Sequence, residues 1–148
     1  MKFLAKLLQL RFVPSSIDLS LLLLRLWIGG SMLMLHGWPK LTAFSSMAPN
    51  FADPLGVGPT TSLALTVLAE VVGSVLLILG LFTRLAALLG GITMAVAFFL
   101  VKGGQLTGAN NGELAFIFFA AYATLFLSGG GRHALDMKIA AASAPKSV

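Results

Sequence analysis

Four apolar blocks, each bounded by charged or turn-forming residues, dominate the chain. They run over Leu19–Leu35, Thr60–Phe82, Leu85–Val101 and Leu114–Ser128. An α-helix rises about 1.5 Å per residue, so about 20 apolar residues cross a hydrocarbon core of about 30 Å. The pattern therefore predicts an all-α integral membrane protein, folded as an antiparallel four-helix transmembrane bundle.

The segments between the blocks predict how the helices are connected. Phe82, Thr83 and Arg84 leave a very short connection, so the second and third spans should form a tight hairpin. The 37–59 segment is a long, proline-rich loop, and loops of this length are usually functional or flexible. Within it, Phe44, Met47 and Phe51 are predicted apolar contacts. The segment Lys102–Glu113 is a polar loop, and three glycines at 129–131 should end the fourth span.

The two ends of the chain differ from its centre. Residues 1–13 place Lys2 and Lys6 one turn apart with leucines on another side, which predicts a short amphipathic helix on the membrane surface. A signal peptide is the alternative, but Arg25 interrupts the first apolar block and no small-residue cleavage site follows. We therefore divide the chain into an interfacial segment (1–16), a transmembrane domain (17–131) and a cytoplasmic tail (132–148).

Composition supports a membrane protein and narrows its chemistry. Mean hydropathy is +0.95, and only 10% of residues are charged, against about 25% in soluble domains. The net charge of +5 does not indicate nucleic-acid binding, because the basic residues are not interleaved with aromatic ones. The absence of cysteine excludes disulfides and thiolate sites. The two histidines, His36 and His133, fall on opposite sides of the membrane, so we expect no haem, no metal and no covalent cofactor.

Basic residues outside the apolar blocks predict the orientation. If both termini share one side, that side carries seven of them, Lys2, Lys6, Arg11, Arg84, Arg132, Lys138 and Lys146, and the other side carries only Lys40 and Lys102. The positive-inside rule then places both termini in the cytoplasm.

Glu70 is the most informative residue, because it lies near the middle of the second block. A carboxylate at that depth costs about 2.5 to 3.5 kcal/mol and needs a partner inside the bundle. Helix counting leaves two candidates, Arg25 about 8 Å below and His36 about 9 Å above. Side chains lean toward the N-terminus of their helix, which favours His36. Arg25, Gly29, Met32 and His36 should form one inward-facing stripe on the first span.

The remaining polar residues have both functional and structural interpretations. Lys40 and Glu113 should lie level with His36 in the outer half of the bundle, and Tyr122 should lie below with Arg25. In the structural interpretation, Arg25 pairs with Glu70 to fix helix register, His36 ends the first span, and Lys40 reaches lipid headgroups. Glu113 then only stabilises the N-terminus of a helix, and Tyr122 only contributes to side-chain packing inside the bundle. The functional interpretation rests on their joint occurrence at compatible depths.

Four stretches together resemble the DoxX family of small four-span bacterial and archaeal membrane proteins. They are LLRLWIGGSMLMLHGWPKL (23–41), LAEVVGSVLLILGLFTRLAALL (68–89), Gly112-Glu113 and GGGRHALD (129–136). The resemblance covers about residues 19–136 and implies a four-helix bundle in the bacterial cytoplasmic membrane. It also implies membrane redox chemistry, since family members are named for a subunit of a quinone-linked thiosulfate or quinol oxidation system. The family's polar positions match Arg25, His36, Lys40, Glu70 and Arg84.

Two functions remain at this stage. The first is a non-catalytic or weakly catalytic accessory subunit of a quinone-linked redox system, which holds a quinone or lipid head group among His36, Lys40, Glu70 and Glu113. The alternative is a structural subunit that packs against other membrane proteins or copies of itself. Solute or proton transport ranks last, because the third span offers no polar path. No catalytic residue is assigned.

Overall fold

The computed structural model describes residues 15–143, together with Leu8 and Leu10. The described part of the chain is 75% helical and has no strands, which confirms the predicted all-α class. The amphipathic helix predicted for residues 1–13 lies, apart from Leu8 and Leu10, outside the described residues, as does the tail beyond residue 143.

Six α-helical segments follow one another along the described chain, with a short 3-10 helix, Ala48–Asn50, after the second. They are α1 (Ile17–Thr42), α2 (Phe44–Met47), α3 (Pro59–Leu79), α4 (Thr83–Val101), α5 (Glu113–Ser128) and α6 (Leu135–Ser143). With 26, 21 and 19 residues, α1, α3 and α4 are long and apolar enough to cross a membrane. Helix α5 is apolar but has 16 residues. The four longest helices pack around a core that includes Met32, Leu77, Tyr122 and Leu125.

The prediction that the first span ends at His36 is wrong. Helix α1 continues to Thr42 through a wide, π-helical turn at Leu33–Gly37. In this turn the Trp38 N–H donates a hydrogen bond to the carbonyl of Leu33, five residues earlier. Pro39 then falls in the first turn of the regular helix that follows, where its missing N–H is tolerated. The proline that suggested a loop therefore sits inside the helix, and Lys40 is a helical residue.

The rest of the long loop packs against the N-terminal half of α3. A small core of Ala48, Leu63 and Val67 forms here, and Phe44, Met47 and Phe51 pack against it. The predicted apolar contacts of these three loop residues are therefore confirmed. Asp53 accepts hydrogen bonds from the N–H groups of Val57 and Gly58 and from the Ser62 hydroxyl. The hydrogen bond from Ser62 is the main cause that lowers the pKa of Asp53.

Small residues let α4 and α5 approach closely. Ala86, Ala87, Gly90 and Gly91 are all buried. A Cβ atom on Gly90 would lie 2.5 Å from Cζ of Tyr122, so only glycine leaves room for the tyrosine ring.

The short turn between α3 and α4 is confirmed, and the segment after α5 closes over it. Gly80 ends α3 with a positive φ of 70°, and its carbonyl accepts a hydrogen bond from the Asp136 N–H. The Asp136 carboxylate accepts hydrogen bonds from the backbone N–H groups of Phe82 (2.6 Å) and Thr83 (2.9 Å). Ala134 is fully buried beneath this turn. Residues 129–136 are therefore part of the bundle.

Candidate functional site

Glu70 forms an ion pair with Lys40 inside the bundle. Lys40 Nζ donates to both carboxylate oxygens, at 2.9 Å to Oε1 and 2.6 Å to Oε2. The Glu70 side chain is only 5% exposed, while that of Lys40 is 20% exposed. A buried acid is thus neutralised by a base that still reaches the surface of the protein.

The expectation that Glu70 pairs with Arg25 or His36 is therefore wrong. The error follows from ending the first span too early, which placed Lys40 in a loop. The argument from side-chain direction holds once α1 is extended. Lys40 leans back toward the N-terminus of α1 and Glu70 leans toward the N-terminus of the antiparallel α3, so the two side chains lean toward each other.

A close backbone contact positions this pair. Gly37 packs directly on α3, where a Cβ atom would lie 2.8 Å from the Glu70 backbone oxygen. Both helices have a wide turn here, Leu33–Gly37 in α1 and Leu68–Val72 in α3. Such turns are rare and are frequent at functional sites. The contact fixes Lys40, one turn beyond Gly37, opposite the Glu70 carboxylate.

His36 and Tyr122 lie around the ion pair. His36 is half-buried, packs edge-on against Phe118 with ring centroids 5.7 Å apart, and lies within electrostatic range of Lys40. Tyr122 is 2% exposed and packs against the same Phe118, with ring centroids 6.4 Å apart. The structure thus brings together four predicted residues, His36, Lys40, Glu70 and Tyr122.

Arg25 belongs to the opposite end of the bundle. It is fully buried, and its NH1 group donates to the carbonyls of Leu77 (3.2 Å) and Ile78 (3.3 Å) in the last turn of α3. A cation at this position interacts favourably with the C-terminal end of α3, where the helix dipole is negative. The predicted inward stripe is confirmed for Arg25, Gly29 and Met32, which are all buried.

Asp136 is a second charge at that end, which the sequence did not single out. Burial acts to raise its pKa, but hydrogen bonds from the N–H groups of Thr83 and Phe82, together with the charge of Arg25, outweigh burial and lower it. The carboxylate therefore stays ionised and serves as the N-terminal cap of α4.

Glu113 lies at the start of α5 with an exposed side chain. Its backbone N–H donates to Oδ1 of Asn111 at 2.7 Å. Within residues 15–143 its carboxylate forms no ion pair with His36 or Lys40.

Sequence reasoning missed two residues that build the site. Gly37 appeared only as part of a presumed loop, although a glycine three residues before Lys40 is a signal for close helix contact. Ser74 is fully buried beside Tyr122, and a lone serine in an apolar helix gave no comparable signal.

Comparisons with known proteins agree with the resemblance seen in the sequence. The DoxX family model matches residues 20–103. A protein of Haemophilus influenzae described as an uncharacterized protein is 41% identical over 116 residues, which cover 72% of this chain and 81% of the relative. No solved structure matches the chain. With more than half of its length matched by the family model, the chain belongs to the DoxX family of small membrane proteins.

Proposed function

We propose that this protein is a non-catalytic accessory subunit of a quinone-linked redox system, and that it binds a quinone or lipid head group at His36, Lys40 and Glu70. The observation that carries the proposal is the buried Glu70 paired with a Lys40 that stays partly exposed. Intramembrane ionisable groups are costly and usually mark a site.

The hydrogen-bonding capacity of the cluster fits a carbonyl-bearing head group. A lysine ammonium has three N–H donors, and Glu70 takes two of them. The third donor remains for a ligand oxygen on the exposed side of Lys40. His36 lies one turn away, half-buried, and offers a ring N–H. A bound quinone would supply two-electron redox chemistry, while these residues hold its carbonyl oxygen and keep a proton-accepting carboxylate nearby.

The test measures quinone bound to the purified protein. We expect extraction and mass spectrometry to find quinone in wild-type protein, or added quinone to bind. The K40M/E70Q variant removes the ammonium without leaving a buried charge, and its quinone content should fall about tenfold, the effect of losing roughly 1.4 kcal/mol. K102Q changes a lysine outside the cluster and should match wild type. Wild-type protein that neither carries nor binds quinone would overturn the proposal.

The proposal includes the topology. Helix α5 would form the fourth span, since its 16 residues reach about 24 Å and neighbouring helices can hold a short span at depth. Seven basic residues against two favour cytoplasmic termini. The expected location is the cytoplasmic membrane of a bacterium.

A structural role in a larger complex is the second candidate. It is favoured by an apolar groove of about 190 Å³ between α4 and α5, floored by small residues that include Ala87, Gly91 and Ala123. Such grooves suit a neighbouring transmembrane helix. G91L should abolish cross-links to neighbouring proteins in native membranes, and L79F, on the exposed side of α3, should retain them. A wild-type protein that cross-links to nothing would exclude this role.

A further inference from the structure

A cleft lined by both charged and apolar side chains lies at the end of the bundle where α1 begins. It has a volume of about 550 Å³, and its walls come from the α3–α4 turn, the start of α4 and residues 128–137. Arg25 and Asp136 mark this end of the molecule, whereas Lys40 and Glu70 lie toward the other. The cleft is therefore separate from the site proposed above.

Two arginines line the cleft without a carboxylate partner. Arg84 and Arg132 are both exposed. Among the described residues, no carboxylate lies within 4.0 Å of either guanidinium. The Arg84 NH2 group donates to the Leu127 carbonyl at 3.3 Å, which leaves most of its five donors free. Planar guanidinium groups match the geometry of phosphate oxygens.

Among the described residues, the two aspartates in the cleft form no ion pair with these arginines, because their carboxylates instead accept hydrogen bonds from backbone N–H groups. Asp136 accepts the N–H groups of Phe82 and Thr83. Asp18 accepts the N–H group of Arg132 at 2.8 Å. Both carboxylates therefore fix the shape of the cleft and leave two cations available on its walls.

Apolar side chains beside the arginines indicate what kind of phosphate the cleft accepts. Phe82, Leu85 and Met137 line the cleft and are 60%, 51% and 51% exposed. Leu127, next to the Arg84 contact, is 75% exposed. Free phosphate has no apolar part that could bind such a surface, whereas the acyl chains of a lipid would pack along it.

We propose that Arg84 and Arg132 bind the phosphate group of an anionic phospholipid, whose acyl chains contact the exposed apolar residues of α4 and α5. Basic residues at a membrane surface attract anionic lipids by about 1 kcal/mol each. The cleft combines that attraction with a fixed shape and an adjoining apolar surface.

The test is native mass spectrometry of the full-length protein in detergent with added phosphatidylglycerol or phosphatidylcholine. Wild type should retain phosphatidylglycerol in preference, and R84Q/R132Q should lose that preference by about tenfold. R84K/R132K keeps both charges and should retain most of the binding. K102Q, outside the cleft, should behave like wild type.

Two further arms keep the result interpretable. R132Q alone changes a side chain with no hydrogen bond in the described structure, so it should fold normally and still bind less phosphatidylglycerol. Millimolar inorganic phosphate should compete only weakly. Equal lipid retention by wild type and R132Q or R84Q/R132Q would overturn the proposal. Phosphate binding as tight as phosphatidylglycerol binding would overturn the assignment to a lipid.

Discussion

At the scale of single residues, the fold depends on a few positions that require either a charged side chain or a glycine. Glu70 is neutralised by Lys40, and Gly37 lets their helices touch. The sequence predicted that Glu70 needs a partner, because the cost of burying a carboxylate is general. It did not predict which base, because that depends on where a helix ends.

The Gly37 contact gives a direct prediction. In G37A the added Cβ would meet the Glu70 backbone at 2.8 Å, and overpacking of this kind costs about 1 to 3 kcal/mol. G30A is the matched control in the same helix, because no atom lies within 4 Å of its added Cβ and alanine favours helix. Unfolding in mixed micelles should show G37A destabilised and G30A unchanged or stabilised. Equal stability of the two variants would exclude the close contact.

At the scale of helices, the apolar pattern predicted the positions of all four long helices and the hairpin between α3 and α4. It failed at the end of α1, because a proline usually ends a helix and the wide turn that accommodates Pro39 has no simple sequence signal. It also missed the packing of residues 129–136, because Asp136 caps α4 from more than fifty residues away in sequence.

That cap predicts a pH dependence. The folded protein lowers the pKa of Asp136, so its stabilisation is present above the ordinary carboxyl pKa of about 3.9 and is lost as the pH falls through the lower folded value. At neutral pH, D136N should therefore be less stable by about 0.5 to 2 kcal/mol, the usual effect of losing a cap. Thermal unfolding at neutral and strongly acidic pH measures the difference.

The difference in stability between D136N and wild type should become smaller at strongly acidic pH, where the wild-type carboxyl is protonated. D18N is a useful comparison, because among the described residues the Asp18 carboxylate accepts a hydrogen bond only from the Arg132 N–H group and does not cap α4. A D136N defect that is the same at both pH values would show that the charge of Asp136 is not what stabilises the turn.

At the scale of the whole molecule, charged and polar groups separate into two ends. The Lys40–Glu70 pair belongs to one, while Arg25, Asp136 and the arginine cleft belong to the other. The sequence predicted this distribution in outline through the excess of basic residues at the proposed cytoplasmic side. It could not predict the cleft, which forms only when residues 128–137 fold back onto α4.

The orientation can be tested because the chain has no cysteine. T107C, in the loop between α4 and α5, should react with a membrane-impermeant maleimide in intact cells. A140C, on the exposed surface of α6, should react only after the cells are opened. The reverse pattern would invert the topology, and labelling of both residues from the same side would show that α5 does not cross.

The central claim is that Lys40 and Glu70 act as one buried unit, and a double-mutant cycle in SDS-titrated bicelles tests it most directly. Breaking a buried pair by removing one partner typically costs about 3 to 5 kcal/mol, so K40M should lower the unfolding free energy strongly. The added E70Q change should then recover much of the loss, with a coupling energy of at least about 1 kcal/mol. If the effects of K40M and E70Q simply add, the two side chains do not interact, and the account of this site is wrong.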